Sequence, residues 1–335
     1  MIKLVEKLTS RVVRLTSEAS GPYSQVSYSY LVGNGPDRFL VDTGTGHSNY
    51  LQHLKKYLLE TNSKVSKVFL THRHHNHSSG FNLSDFTVYV GQKHPSYPKL
   101  NILKDRSIFK TEDGQTSLTA IHTPGHSKDH FSFWLPEEDV LFAGDSIISR
   151  PDSHSSSQMI YEDLDDFRAS LNKMDALFPK LCFAGHGEVN WNVLGLLDDI
   201  KSRLLEMDTA ILDILSHNTL TTDQIIINFF ELYKVRNETD QFILQGSLRL
   251  HMLKLEKDGL IHRRDATKDN VGSADRMKKG PGGLTMEQIF QEIQKSRVED
   301  YKQNPSKEPH RDIALHPLHS HINISKTLSW SVKQK

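Results

Sequence analysis

Between about residues 10 and 190 the apolar stretches are short, either alternating with period two or unbroken, and each ends in a polar turn that often contains glycine. That pattern predicts strands rather than long helices. Val26-Ser27-Tyr28-Ser29-Tyr30-Leu31-Val32 alternates as a half-buried strand does, and Arg38-Phe39-Leu40-Val41 follows it. A helix is predicted over Tyr50–Leu59, then strands at Lys67–Leu70, Phe86–Val90 and Leu118–Ile121. Phe131–Leu135 and Asp139–Ala143 read as a hairpin around Pro136-Glu137-Glu138, with a helix near Asp163–Leu177 and a further strand at Lys180–Ala184. This mixed order predicts an α/β protein with two sheets faced by helices, not a doubly wound parallel core. The N-terminal stretch, with Lys3, Lys7, Arg11 and Arg14 against Glu6, lacks the apolar run of a secretory signal. It fits a weak mitochondrial presequence and a first β-strand equally well, and the strand is the reading adopted.

Residues 204–265 change to helical spacing, with Leu204, Met207, Ile211, Ile214 and Leu215 on one stripe. Thr221-Thr222-Asp223-Gln224 offers a capping box before a helix over Ile225–Tyr233. Another helix, Phe242–Lys257, should stop at Asp258-Gly259 before a short strand at Leu260-Ile261. Three helices and a wing describe a winged-helix-like module; a plain helical bundle is the alternative. From Ala266 onward only 20 of 70 residues are hydrophobic, which predicts a mostly disordered tail. One helical stripe, Met286, Ile289, Phe290 and Ile293, interrupts it. The expected units are residues 1–200, 201–265 and 266–335.

The 335 residues allow two domains or one with an appendage. Lys+Arg and Asp+Glu both number 41, so a globally basic nucleic-acid coat is excluded and any polyanion site must be local. Residues 249–264 are such a local excess, with Arg249, Lys254, Lys257, Arg263 and Arg264 against Glu256 and Asp258; a phosphate-contacting face and an ordinary solvated helix are equal readings. One cysteine, Cys182, excludes a disulfide framework, and its apolar neighbours make it a core residue. No apolar run approaches the roughly 18–20 residues of a membrane span.

Histidine, at 19 residues, is what stands out. Thr71-His72-Arg73-His74-His75-Asn76-His77 directly follows the apolar strand Val68-Phe69-Leu70. His72 and His74, two apart in extended backbone, point the same way, and His77 lies beyond a turn where it can reach a second cation. A His-rich surface loop is the bland alternative. It weakens because the architecture recurs: Leu118–Ile121 leads to His122-Thr123-Pro124-Gly125-His126, Val140–Ala143 to Gly144-Asp145, and Leu181–Ala184 to Gly185-His186-Gly187. Upstream, Leu40-Val41 ends in Asp42-Thr43-Gly44. Strand ends that each deliver a nitrogen or oxygen donor beside a glycine point to a metal site.

Taken in order, these motifs resemble the metallo-β-lactamase superfamily, an αββα sandwich. The chain is also similar, over roughly residues 8–265, to the β-lactamase-like protein 2 family of endoribonucleases with their winged-helix-like module. The matching segments are Leu8–Leu15, Tyr30–Gly33, Tyr161–Leu164 and Leu250–Gly259. The resemblance implies two zinc ions: His72, His74 and His126 on the first, His77 and His186 on the second, and Asp145 bridging and accepting a hydrogen bond from the nucleophile. It implies that Asp42 orients a ligand imidazole from behind; His130 is either another such group or a satisfied structural histidine.

Asn76 stands where that family carries a metal-ligating aspartate. A neutral carbonyl oxygen is a poorer ligand, so Asn76 is expected to weaken the second site. His75 is adjacent but should point away. Arg73 replaces an aromatic, and the Ser- and His-rich stretch Ser149–Met159 is longer than in the family. The expected function is zinc-dependent hydrolysis of single-stranded RNA, through a water whose pKa a metal pair lowers toward about 7. A thioester hydrolase like glyoxalase II and a catalytically weakened RNA-binding paralogue are the alternatives. The resemblance implies the mitochondrial matrix, while composition also permits the cytosol; no membrane partner is expected, and the oligomeric state is left open.

Overall fold

Strands whose residues are buried on both faces must lie between layers, and the central strands here are of that kind. The computed structural model describes residues 4–17, 26–45, 48–80, 86–92, 100–148, 162–236, 238–265 and 328–332. The first sheet runs in chain order through seven strands: β1 (Val5–Lys7), β2 (Val12–Ser17), β3 (Ser27–Val32), β4 (Asp37–Val41), β5 (Lys64–Phe69), β6 (Thr87–Val90) and β7 (Asn101–Ile102). β1 to β4 pair antiparallel, then β4 to β7 pair parallel, with α1 (Ser48–Glu60) as the crossover between β4 and β5. The second sheet has the order β12-β11-β10-β9-β8, from β8 (Ile108–Lys110), β9 (Ser117–His122), β10 (Phe131–Leu135), β11 (Val140–Gly144) and β12 (Leu181–Ala184).

The inner faces of the two sheets meet in one apolar layer that includes Tyr30, Phe39, Phe69, Phe133, Phe142 and Phe183. The outer face of the first sheet packs Leu31, Leu40 and Val68 under Tyr50 and Leu54 of α1. The outer face of the second packs Leu141, Ala143 and Cys182 under α3 (Leu164–Asp175) and the start of α4 (Val193–Leu215). This is the αββα sandwich that the resemblance implied. α3 begins where Asp163 caps the amide of Asp166, with Asp165 and Asp166 in the first turn suiting the positive end of the helix dipole.

α4 runs without a break across residue 200, where the sequence reading divided the chain. Ile200 and Leu204 face the sandwich, whereas Met207, Ile211 and Leu215 join a separate cluster with α5 (Thr222–Leu232) and α6 (Glu238–Lys257). The predicted capping box is formed: Thr221 accepts from the Gln224 amide, and Gln224 from the Thr221 amide. The wing is a three-stranded sheet of order β13-β15-β14, built from β13 (Leu220–Thr221), β14 (Ile261–Asp265) and β15 (Leu328–Val332). β15 was not expected. It comes from the segment read as tail, and its Trp330 is fully buried. The stripe Met286–Ile293 and the stretch Ser149–Met159 lie outside the described residues.

Candidate metal centre

Parallel pairing puts the C-terminal ends of β4 and β5 side by side, and likewise those of β11 and β12. β9 and β11 both run antiparallel to β10, so β9 ends at the same edge. The loops leaving these five ends bring together the side chains that the strand-and-glycine pattern singled out. His72 Nε2 and His126 Nε2 each lie 2.9 Å from His74 Nδ1. Asp145 Oδ2 is 3.8 Å from His72 Nε2, 3.7 Å from His126 Nε2 and 3.5 Å from His186 Nε2. Asp145 Oδ1 is 3.2 Å from His77 Nε2, which is 3.3 Å from His186 Nε2. Two groups result, His72/His74/His126/Asp145 and His77/Asp145/His186, in each of which the donor atoms lie within 4.8 Å of one another. All six residues are buried except His74, which is partly exposed.

Close approach depends on two glycines. Gly144 has φ +51°, and a Cβ there would press to 2.6 Å of His130 Nε2. A Cβ on Gly185 would collide with the Asp145 carboxylate and the His77 ring. A larger residue at Gly185 would move the donors themselves, and one at Gly144 would displace His130 and Thr71, which support them.

The surroundings decide which ring nitrogens face inward. Asp42, at φ 58°, accepts from the Thr71 amide at 2.7 Å and from the Thr71 hydroxyl at 2.8 Å. The threonine proton is thereby committed, so its oxygen must accept from His72 Nδ1, 3.0 Å away, and His72 Nε2 is left as a lone pair. The same Asp42 takes His77 Nδ1–H at 2.9 Å. One carboxylate thus orients a histidine of each group. His186 donates Nδ1–H to the Val26 carbonyl at 2.7 Å, which leaves its Nε2 as an acceptor. Such bonds from behind are the ordinary means of presenting imidazole to a metal.

Electrostatics agree with a place for positive charge. Burial opposes a charged His77, yet the carboxylates of Asp145 and Asp42 raise it to about 10. Burial likewise opposes ionisation of Asp145, but His77 and His186 hold its carboxyl well below the usual range. Burial, and then the neighbouring rings, push His72 well down, and burial lowers His74. Ring nitrogens aimed inward at a buried carboxylate fit a divalent cation of the borderline kind that imidazole and carboxylate ligate, which would take the place of the inner proton on His77.

The remaining predicted residues fall as follows. Asn76 Nδ2 lies 2.9 Å from His186 Nε2. His75 turns outward to the Ser79 hydroxyl. His130 does not face the cluster: its Nε2 accepts the Asp145 amide at 3.2 Å and its Nδ1 sits 2.9 Å from the Thr123 hydroxyl. Burial lowers it to about 4, so it is a neutral, satisfied histidine that holds the Asp145 backbone. Arg73 points to the rim, with Nε donating to Asp129 at 2.7 Å. Cys182 is fully buried in β12. Sequence reasoning missed Thr71 and the Val26 carbonyl. A threonine before the histidine run was a signal for the first; a backbone oxygen leaves none.

The basic stretch of the module is largely paired. Lys254 and Lys257 reach Asp165 of α3 at 3.3 and 2.6 Å, and Arg263 donates to Glu256 at 2.6 Å. Two of these three cations join the module to the sandwich. Among the described residues, no helix is long and apolar enough to cross a membrane.

Comparison with known proteins agrees with this geometry. A family model described as the metallo-β-lactamase superfamily matches residues 24–85 and 83–186. The chain is 30% identical over 271 residues to a β-lactamase-like protein 2 homolog of Caenorhabditis elegans, covering 78% of this chain and 89% of that one. It is 29% identical to an atrochrysone carboxyl ACP thioesterase of Passalora fulva, covering 77% and 79%. A crystal structure of a metallo-β-lactamase family protein from Thermus thermophilus superposes with a TM-score of 0.58 at 19% identity, over 77% of this chain and 97% of that one. A β-lactamase domain protein from Burkholderia ambifaria does so with a TM-score of 0.61 at 14% identity, over 84% and 91%. The strand-end donors, the layered fold and these likenesses agree: the chain belongs to the metallo-β-lactamase superfamily.

Proposed function

We propose that the chain is a zinc-dependent endoribonuclease that hydrolyses phosphodiester bonds of single-stranded RNA. The observation that carries the hydrolase reading is the convergence of five inward imidazoles on Asp145. His72, His74, His126 and Asp145 would hold one zinc, and His77, Asp145 and His186 a second. Metal ions bound there supply Lewis acidity and a water that ionises near neutral pH. The chain's own contribution is placement. Asp42 keeps the proton on the outer nitrogen of His77 and, through Thr71, of His72, so both inner nitrogens stay available. His130 fixes the Asp145 backbone, and Asp145 can accept a hydrogen bond from an attacking water. The RNA reading rests on the similarity to β-lactamase-like protein 2 and on the winged-helix-like module.

A second reading, thioester hydrolysis, is favoured by the several relatives named as acyl-carrier thioesterases. Purified protein with measured zinc content, assayed on labelled single-stranded RNA and on an acyl thioester, separates the two. We expect RNA cleavage in the native protein and its loss, by at least about a hundredfold, in His72→Ala, because removal of a ligand exceeds the 10–100-fold cost of an outer change. Undiminished cleavage by His72→Ala would overturn the reading. Thioester turnover far above RNA turnover would replace it with the second.

A further inference from the structure

The two groups of donors are not equivalent. The first has four, His72, His74, His126 and Asp145; the second has three, and it shares Asp145. A single carboxylate charge is therefore divided between the two positions. The second group also has its His186 nitrogen engaged. In the neutral form that ligates a metal, His186 keeps its one proton on Nδ1 against the Val26 carbonyl and its Nε2 accepts, so the Asn76 atom 2.9 Å away is the amide nitrogen donating a hydrogen. The same short piece of chain holds both partners: Ser27 donates to the Asn76 backbone carbonyl at 2.8 Å, next to the Val26 oxygen that fixes His186. Asn76 is thus positioned, and a cation drawing on His186 must first displace its amide hydrogen.

Resting on the metal-hydrolase reading above, we propose that the chain retains one divalent cation tightly, at His72/His74/His126/Asp145, and exchanges the other, with Asn76 setting the difference. A carboxylate in place of the amide would donate no hydrogen to His186 and would add the missing charge. The second position then follows the free cation concentration, which makes occupancy a means of regulation.

Stepwise zinc titration of the apoprotein against a chromophoric chelator, with native mass spectrometry of the zinc retained after dialysis, reads this without any substrate. The native chain should retain one zinc and bind a second at least about 10–100-fold more weakly, while Asn76→Asp should retain two. A single step of two equivalents in the native chain would overturn the proposal, as would an unchanged gap in a folded Asn76→Asp. Should that variant misfold by circular dichroism, the native titration alone decides, since it must show two separated steps. Retention of no zinc by either chain would overturn the metal-hydrolase reading along with this one, whereas two equal sites would remove only this one.

Discussion

Asp42 reaches both groups of donors without belonging to either, because its two oxygens serve the Thr71 amide, the Thr71 hydroxyl and His77. Asp42→Ala should therefore weaken both metal positions, by about 10–100-fold in zinc affinity, and chelator competition would measure it. A loss confined to one position would contradict the relay through Thr71. A carboxylate at the end of an apolar strand, close before a glycine, made Asp42 legible as a donor, and the family resemblance implied its orienting role. Its double role was not, since which proton a threonine commits depends on neighbours brought up by another strand. Cys182 offers a test far from the metal edge. Burial pushes its thiol up to about 12 from the usual value near 9. The native thiol should stay unreactive toward Ellman's reagent at pH 8 and react once urea unfolds the chain. Since only the unfolded thiol ionises between about pH 9 and 12, the stability it contributes is whole below pH 9 and lost as pH rises. The advantage of the native chain over Cys182→Ala in urea melts should shrink by about 1 kcal/mol between pH 9 and 10.

At the level of elements, α4 is the piece that ties the sandwich to the module, and polar contacts reinforce it. Asp208 accepts from Arg168 of α3 and from His251 of α6, each at 2.6 Å. Burial opposes its ionisation, but these hydrogen bonds hold its carboxyl low. Asp208→Asn should cost about 1.5–3 kcal/mol, read as a lower urea midpoint at pH 7. A carboxyl held low stabilises above the usual carboxylate value near 4 and ceases to as pH falls below it. The variant and the native chain should accordingly converge in stability toward pH 3. The ends of strands and helices were legible wherever a run of one period met a glycine, a cap or a proline, as at Asp163 and Thr221. The start of α4 at Val193 was not, because its first turns carry Leu194, Leu196 and Leu197 beside Asp198 and Asp199 without a clean stripe. β7 and β8 are too short for a period to declare itself.

For the whole molecule, the zero balance of charge says little about a nucleic-acid surface, and the local cations of the module are mostly spent on Asp165 and Glu256. The unexpected feature at this scale is β15, the middle strand of the wing. Leu-Ser-Trp-Ser-Val alternates as a strand should, yet it spans five residues inside a polar stretch whose average conceals it. Trp330 packs among Ile225, Leu248 and Met252, and its indole donates to Thr222 at 3.0 Å. Trp330→Ala should cost about 3–5 kcal/mol, concentrated in the module, and show in hydrogen exchange as faster opening of α5 and α6 with the sandwich still protected. β15 also has a consequence for biosynthesis. A ribosome releases the sandwich strands long before it adds residues 328–332, so β13 and β14 must wait as unjoined edges until that segment has been made. A premature stop anywhere between Asp265 and Leu328 would thus yield a chain with every metal donor in place and a lid of the wing's apolar layer missing, ready for quality-control proteases.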